Sequence, residues 1–368
     1  MKKVIIIGSG IVGSAIAFEL SQNPDLDITL IDQNNPGSGA TGAALGILMG
    51  VISQKTKGRA WQLREASLKR YHSLIPELES LTGLKIPHNK DGIVKLLFEG
   101  DDLTKWHKLA QTRATQGHTL EVWDPNQLKS LCPEIDVTGI IGAVYSPEDL
   151  QINPPMLTQA LVKGASLRGV KCQFGSKVDN FQIKPSNDSQ NQVCTSVNVG
   201  GASLEADWVI IAAGLGSMAL TQSLGATLTI IPVLGQALLV KNNSWQTSNN
   251  FNPVITGNDI HIAPMGNNEF WLGATVEFPQ GQESVVADAQ LLDHLHQSAI
   301  AFCPTLKSAP VMLSWTGKRP RPEGQPAPVI KKLAPYDNII LATGHYRNGI
   351  LLAPATAMQV QDLITIDN

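Results

Sequence analysis

The sequence predicts two interleaved domains, an α/β domain of the Rossmann type and an α+β domain built on a mainly antiparallel sheet. Three observations support this division. A strand, a glycine turn and a helix open the chain, and a buried apolar strand ending in glycines returns at residues 208–216. Between residues 232 and 278, short segments of alternating polar and apolar residues replace the α/β pattern, as is typical of antiparallel strands.

The first 32 residues carry the pattern strand, glycine turn, helix, strand and acid. Residues 4–7 are apolar and β-branched, which indicates a parallel strand buried on both faces. Gly8, Gly10 and Gly13 then allow a sharp turn, a close approach to a pyrophosphate, and tight packing of the helix on the sheet. Asp32 ends the second strand, where a carboxylate can bind a ribose. The complete pattern favours a dinucleotide site over a glycine-rich turn of another α/β protein.

Residues 33–46 form the next segment, which is dense in glycine and small hydroxyl residues. This composition is typical of a surface loop. It also suits a segment that wraps the phosphates and ring of a cofactor, because small residues let backbone N–H groups close on a ligand. The position directly after Asp32 favours the second interpretation.

Residues 51–139 lack the alternation of strand and helix. Apolar spacing predicts a helix over 58–82, which Pro76 kinks or breaks, and capping aspartates begin helices at Asp102 and Asp124. Further predicted elements are a turn and strand at 88–98, a strand at 139–145, a helix at 154–168, a strand at 170–174, a hairpin of 193–199 and 202–206, a mobile polar loop at 185–192, strands at 236–241, 260–264 and 269–275, a helix at 287–302, a strand at 338–342 and a last helix ending near 364.

The two domains therefore share the chain in alternating segments. We assign residues 1–50, 140–215 and 310–368 to the nucleotide domain, and residues 51–139 and 216–309 to the second domain. Several chain crossings then hold the domains together, and a cleft between them is the expected ligand site.

The composition describes an ordinary globular protein and argues against several classes of partner. With a net charge of −3 and no basic cluster, the chain does not resemble a nucleic-acid-binding protein. It lacks an apolar run that could span a membrane and a signal peptide at its start, which predicts a cytoplasmic location. The four cysteines are far apart, so neither disulfides nor a metal site are expected. The sequence leaves open whether the chain forms a homo-oligomer.

Five motifs together resemble the D-amino-acid oxidase superfamily of FAD enzymes, and within it the glycine oxidase family. They are GSGIVG with Asp32, GATGAALG, VIIAAGLGS, WTGKRPRP and GHYRNGILLAP. The resemblance extends over nearly the whole chain, and GHYRNGILLAP is its most specific part. It implies FAD bound without a covalent link, because no cysteine stands near Gly317 and Lys318, where a related family attaches its flavin.

The resemblance also implies which residues contact FAD. The glycine turn and Asp32 would hold the pyrophosphate and ribose, the loop after Asp32 would wrap the pyrophosphate and ring, and the segment from Gly344 would run beneath the isoalloxazine. The implied cofactor residues are Gly8, Ser9, Gly10, Ile11, Val12, Gly13, Asp32, Gln33, Ser38, Gly39, Ala40, Thr41, Ala44, Gly46, Ile47, Val178, Ala213, Gly214, Arg319, Gly344, His345, Arg347, Asn348, Gly349, Ile350 and Leu351.

Three residues are the candidates for substrate binding. Arg319 matches the family arginine that grips the substrate carboxylate, a task suited to its planar fork of donors. Arg347 is the second candidate, and its alternative interpretation is a structural residue whose backbone carbonyl faces the site. His261 and Met265 depart from the family, which often has Tyr and Arg there. His261 either donates to the carboxylate or is a half-buried strand histidine, and its presence puts glycine itself in doubt as the preferred substrate.

The implied reaction is the oxidative deamination of a small amino or imino acid, such as glycine, sarcosine or a D-amino acid. Hydride would pass from the α-carbon to flavin N5, giving an imine and then the oxo acid, with no side chain required as acid or base. Oxygen or another electron acceptor, a quinone or a protein, would reoxidise the flavin, so an oxidase and a dehydrogenase stay open. A non-catalytic FAD-binding subunit is disfavoured, because it would not need the two arginines.

Overall fold

A computed structural model describes residues 1–187, 189–247, 250–280 and 284–365. Its strands are β1 (Lys2–Ile7), β2 (Leu26–Asp32), β3 (Ile47–Leu48), β4 (His88–Asn89), β5 (Ile93–Phe98), β6 (Glu121–Trp123), β7 (Ile140–Ser146), β8 (Leu150–Ile152), β9 (Lys171–Phe174), β10 (Val178–Pro185), β11 (Gln192–Val199), β12 (Ala202–Glu205), β13 (Trp208–Ile211), β14 (Ile230–Lys241), β15 (Val254–Gly257), β16 (Ile260–Gly266), β17 (Glu269–Gly273), β18 (Val311–Pro322), β19 (Val329–Lys332) and β20 (Ile339–Thr343). Its helices are α1 (Ile11–Leu20), α2 (Gly58–Thr82), α3 (Leu103–Thr115), α4 (Pro125–Leu131), α5 (Pro154–Leu167), α6 (Ser217–Ser223), α7 (Ala289–Phe302) and α8 (Gly349–Thr365).

A six-stranded sheet with the order β19-β20-β13-β1-β2-β9 forms the nucleotide domain predicted from the first 32 residues. Its strands are parallel except for β19, which pairs antiparallel with β20. Helix α1 packs between α5 and α8 on one face, and the antiparallel strands β10, β11 and β12 bury apolar side chains against the other. Both faces are covered, which explains why the inner strands are apolar throughout.

An eight-stranded sheet with the order β18-β14-β17-β16-β15-β5-β7-β6 forms the second layer. All of its pairs are antiparallel except β15 with β5, in agreement with the mainly antiparallel sheet expected from the sequence. Helix α7 covers one face, where Val94, Ile255 and Ile262 join its buried side chains. The opposite face looks toward the nucleotide domain. A further small sheet has the order β3-β8-β4.

No strand was predicted for the segment of β18, because the prolines and charges of WTGKRPRP are typical of a loop. The structure pairs β18 with β14 along its whole length. Prolines are tolerated there because β18 is an edge strand, whose outer N–H groups need no partner. Strands β7 and β18 both belong to the eight-stranded sheet, although we assigned their segments to the nucleotide domain. The domain boundaries themselves stay a prediction, and residues 366–368 of the last segment lie outside the described residues.

Pro76 was predicted to kink or break the helix, and the break is wrong, since α2 runs without interruption through Pro76. A proline inside a helix removes one hydrogen bond, but α2 buries one face against α5 and α8, and that packing keeps the helix continuous. Asp102 and Asp124 cap α3 and α4 as predicted. The predicted polar loop at 185–192 includes residue 188, which lies outside the described residues. Within the described ranges, the helices are too short or too polar to cross a lipid bilayer.

Candidate active site

A cavity of about 610 Å³ lies between the carboxyl ends of the parallel strands and the inner face of the eight-stranded sheet. This volume is in the range of ligand and cofactor sites. The cavity extends from Asp32 at one end to His261, Arg319 and Arg347 at the other.

The glycine turn shapes the first end of the cavity. Gly8 has a φ of 108°, which an L side chain rarely adopts, and a Cβ there would lie 2.6 Å from the carbonyl oxygen of Ala212. A Cβ on Gly13 would overlap the carbonyl oxygen of Gly8. The chain can therefore turn and bring the N-terminus of α1 to the cavity only with glycine at these positions, and N–H groups at a helix N-terminus favour anions.

Asp32 ties the end of β2 to the glycine turn. One carboxylate oxygen accepts hydrogen bonds from the backbone N–H of Ser9 at 2.6 Å and from its hydroxyl at 2.9 Å, and the other accepts from the N–H of Asn34 at 2.9 Å. Ser9 is therefore a partner of Asp32 and does not line the cavity. Because the carboxylate faces the cavity as well, it can still accept a hydrogen bond from a ligand.

The loop over residues 33–46 closes one side of the cavity, as its composition suggested. Thr41 accepts a hydrogen bond from the N–H of Ile11 at 3.0 Å, which fastens the loop to the start of α1. Gly46 has a φ of 71°, and a Cβ there would overlap the carbonyl oxygen of Ile152. The loop thus approaches both the helix and β8 more closely than larger residues would permit.

The segment before α8 forms the opposite wall. Gly344 and Tyr346 have φ values of 65° and 54°, and the second is unusual for a bulky residue. His345 is buried and its Nε2 lies 2.9 Å from the hydroxyl of Thr356. Burial lowers the pKa of His345 to about 3, so this imidazole is neutral at neutral pH. The hydroxyl of Tyr71 donates to the carbonyl of Ile350 at 2.5 Å and fixes the first turn of α8.

Arg319 is aimed into the cavity by the pairing of β18 with β14. Its Nη1 donates to the carbonyls of Leu234 at 3.1 Å and Thr275 at 3.0 Å. The guanidinium occupies the space over Gly235, where any Cβ would collide with it. Burial and the neighbouring charge of Arg347 lower the pKa of Arg319, which nevertheless stays protonated at neutral pH. Arg347 itself is exposed at the cavity.

His261 lies on β16 at the same end of the cavity. Its Nδ1 is 2.7 Å from the hydroxyl of the buried Thr256. Burial, followed by the charge of Arg347, lowers the pKa of His261 to about 4, so it is neutral at neutral pH. The structure agrees with both interpretations of His261, because this residue is a half-buried histidine on a strand and also lines the cavity. Its part in substrate binding stays a prediction.

Most of the residues expected to hold the cofactor line the cavity, although their individual roles stay predictions. The exceptions are Ser9, Gly13, Asn348 and Leu351. Gly13 acts on the turn and not on the surface of the cavity. Sequence reasoning missed a second group of lining residues, contributed mainly by β14, β18 and the loops beside them, which are Gly235, Ala237, Ala274, Gly317, Lys318, Pro320 and Tyr346. The sequence signal that could have found them is the pair of glycines Gly235 and Gly317, because glycines inside strands often mark a close approach of a ligand. The structure pairs these two glycines across β14 and β18.

The cavity fits a dinucleotide with an aromatic ring. One end offers the N-terminus of α1, approached through Gly8 and Gly10, and the carboxylate of Asp32, and the other offers small residues and two arginines. A model of the DAO family, described as FAD dependent oxidoreductase, matches residues 3–363. The chain belongs to this family. It is therefore an FAD-dependent oxidoreductase. That Gly8, Gly10 and Asp32 hold the ADP part of FAD stays a prediction, which their place on the wall of the cavity supports.

Known proteins give the same family. This FAD-dependent oxidoreductase is 30% identical over 372 residues to the glycine oxidase of Geobacillus kaustophilus (strain HTA426), an alignment that covers 98% of this chain and 92% of that protein. It is 26% identical over 364 residues to the glycine oxidase of Bacillus subtilis (strain 168), with coverage of 98% and 92%. The crystal structure of the G. kaustophilus glycine oxidase aligns with a TM-score of 0.85 and 26% identity, over 99% of this chain and 95% of that chain.

Proposed function

We propose that this FAD-dependent oxidoreductase oxidises the carbon–nitrogen bond of a small amino or imino acid. The observation that carries the proposal is the guanidinium of Arg319, held by two carbonyls over Gly235 and directed at the cavity. An arginine in this position offers its remaining donors to a substrate carboxylate. The similarity to enzymes named glycine oxidase supports the same substrate class.

The chain's own residues orient the substrate in this reaction. Arg319 binds the carboxylate, and Arg347 adds positive charge at the exposed side of the same end. Neutral His261, with Nδ1 bonded to Thr256, presents its other ring nitrogen toward the substrate. The residues that line the cavity would hold FAD without a covalent link, and the flavin would supply the two-electron oxidation at the α-carbon. Among the described residues, no cysteine lines the cavity, which agrees with non-covalent binding.

No side chain is needed as general acid or base in this proposal. The only histidines at the cavity, within the described ranges, are His261 and His345, and burial keeps both of them neutral. A substrate that binds with its amine unprotonated needs correct orientation and a stabilised carboxylate, and both follow from fixed donors.

The test is the anaerobic reduction of the bound flavin. The purified holoenzyme is mixed with glycine, sarcosine, proline and D-amino acids without oxygen, and the visible spectrum is followed. We expect at least one of these compounds to bleach the yellow flavin. A protein that is yellow but is not reduced by any of them contradicts the proposed function.

A dehydrogenase that passes electrons to a membrane quinone is the second candidate. It is favoured by an exposed apolar run on the edge strand β18, where Val311, Met312 and Leu313 are 47%, 56% and 56% exposed. Admission of air to the reduced enzyme separates the two candidates. An oxidase regains its yellow colour rapidly and releases peroxide, whereas a dehydrogenase needs a quinone analogue.

A further inference from the structure

One row of side chains crosses the inner face of the eight-stranded sheet. The strand registers place Lys95 beside Thr256, Thr256 beside His261, His261 beside Gly273, and Gly273 beside Ala237. Residues directly opposite each other on paired strands point to the same face. His261 and Ala237 line the cavity, so Lys95 and Thr256 belong to the cavity-facing side of the sheet.

The alternation along each strand confirms this orientation. Val94 and Leu96 flank Lys95, Ile255 precedes Thr256, and Ile262 follows His261, and all four of these apolar neighbours are buried in the core beneath α7. Successive residues of a strand alternate between its faces. The row of Lys95, Thr256 and His261 therefore faces away from α7, toward the nucleotide domain.

Lys95 is half-buried and lies two strands beyond His261, a backbone distance of roughly 10 Å at the usual strand spacing. Across the described ranges, its ammonium makes no ion pair and no hydrogen bond. Because no described carboxylate pairs with this ammonium, it is available to an anion that binds beside the cavity. Its flexible four-carbon stem lets the charge reach toward the cavity wall at His261.

The same end of the cavity has an excess of positive charge. After burial, which is the largest cause, the charges of Arg347, Lys95 and Arg319 lower the pKa of His261, whereas Asp259 raises it. Glu277 opposes the charge of Arg319, and its carboxylate also accepts hydrogen bonds from Thr275, the amide of Gln236 and the N–H of Asp288. With Glu277 and one substrate carboxylate beside Arg319, Lys95 and Arg347 are left without an anionic partner among the described residues.

We propose that the preferred substrate carries a second anionic group, which Lys95 and His261 bind while Arg319 holds the α-carboxylate. With the Thr256 hydroxyl donating to Nδ1 of His261, the ring proton lies on Nε2 and can be donated to that anion. The substrate class is then an acidic amino acid, or a glycine whose nitrogen carries a carboxymethyl group. This inference rests on the proposed function, because it assigns the substrate of the same site.

The first test compares each substrate that carries a second anionic group with a neutral counterpart, which is the amide for an amino acid and sarcosine for iminodiacetate. The holoenzyme is reduced anaerobically with aspartate and glutamate of both configurations, with asparagine and glutamine of both configurations, and with iminodiacetate and sarcosine. We expect kcat/KM for an acid to exceed that of its matching amide, or iminodiacetate to exceed sarcosine, by about tenfold or more, as a hydrogen bond to a charged group implies. Preference for aspartate or glutamate places the anion on the side chain, and preference for iminodiacetate places it on the nitrogen.

The second test assigns the effect to Lys95. Lys95→Met should lower kcat/KM for the preferred dianionic substrate about tenfold and leave that of its neutral isostere unchanged, and Lys95→Arg should retain most of the preference. Lys90→Met is the matched control, because Lys90 is an exposed lysine just before β5 and its removal changes the net charge equally. A loss shared by all substrates would indicate a structural role and overturn the assignment.

The reduction experiment distinguishes a failure of this inference from a failure of the proposed function. If sarcosine, asparagine and their acidic counterparts reduce the flavin equally well, the second anion site is wrong and the proposed function stands. If the flavin is not reduced by any of these compounds, nor by glycine, proline or D-alanine, the proposed function is wrong and the inference falls with it.

Discussion

The two ends of the cavity are built in opposite ways. The end at Asp32 consists of a continuous stretch of chain, in which glycines bring the backbone close and one carboxylate fixes the turn. The end at Arg319 consists of side chains from β14, β16 and β18, which are separated by many residues and brought together by strand pairing. We expect the first end to recognise groups common to all dinucleotides and the second to distinguish one substrate from another.

This contrast predicts that changes at one end leave the other functional. The largest effect is expected for Gly13→Val, because a Cβ would overlap the Gly8 carbonyl and the valine would force α1 away from the sheet. We expect purified Gly13→Val to be colourless, as seen by its visible spectrum and by FAD titration. Gly216→Ala is the control, since its Cβ would lie 3.6 Å from that of Ala213, an ordinary contact, and it should bind FAD. A yellow Gly13→Val enzyme would contradict the proposed mechanical role of this glycine.

The next effect is expected at the substrate end. Arg319→Ala should raise KM for carboxylate substrates by about 10²–10³-fold, the loss of a bidentate charged contact, while the flavin stays bound. Arg319→Lys should recover part of this loss because it restores the charge without the fork. Steady-state kinetics together with the flavin absorbance measure both outcomes. An unchanged KM would show that Arg319 serves only the carbonyls of Leu234 and Thr275.

A smaller effect is expected for Asp32→Ala at the cofactor end. This change removes the acceptor of Ser9 and Asn34 as well as the expected ribose contact. FAD affinity should fall about 10–100-fold, as the loss of one or two hydrogen bonds to a charged group implies, and KM of the fully loaded enzyme should not change. Titration of the apoprotein with FAD measures the first quantity. If KM rose while FAD affinity held, the two ends would not be independent.

The smallest effect is on the pH dependence of stability. The folded pKa values of His345 and His261, about 3 and about 4, lie below the unfolded value of about 6.5. Between these values the unfolded chain binds more protons than the folded chain. The contribution of the two neutral histidines to stability is therefore fully present above about pH 6.5 and falls as the pH drops toward 4. The unfolding temperature should therefore decrease from pH 7 to pH 4.5 at constant ionic strength. His345→Gln should show a smaller decrease than the wild type, and parallel curves would contradict this assignment.

The comparison between the two ends also explains which predictions succeeded. The order of strand, turn, helix and acid in residues 1–32 depends on neighbouring residues, and the structure reproduces it. The formation of strand β18 depends on its pairing with β14, because the prolines and charges of its own sequence are typical of a loop. The continuity of α2 through Pro76 likewise depends on burial against α5 and α8, which the local sequence does not contain.

The sequence by itself determined the cofactor class, the α/β and antiparallel parts of the fold, and the candidates Arg319, Arg347 and His261. The parts of the fold follow from local patterns, because turns and helix starts are specified by residues close together in the chain. FAD and the three candidates follow from the resemblance of five motifs to a known family. Only the tertiary structure decided that Lys95, Thr256 and His261 share one row on the cavity-facing side. Register between distant strands is set by packing on both faces of the sheet, and that information is distributed over the whole chain.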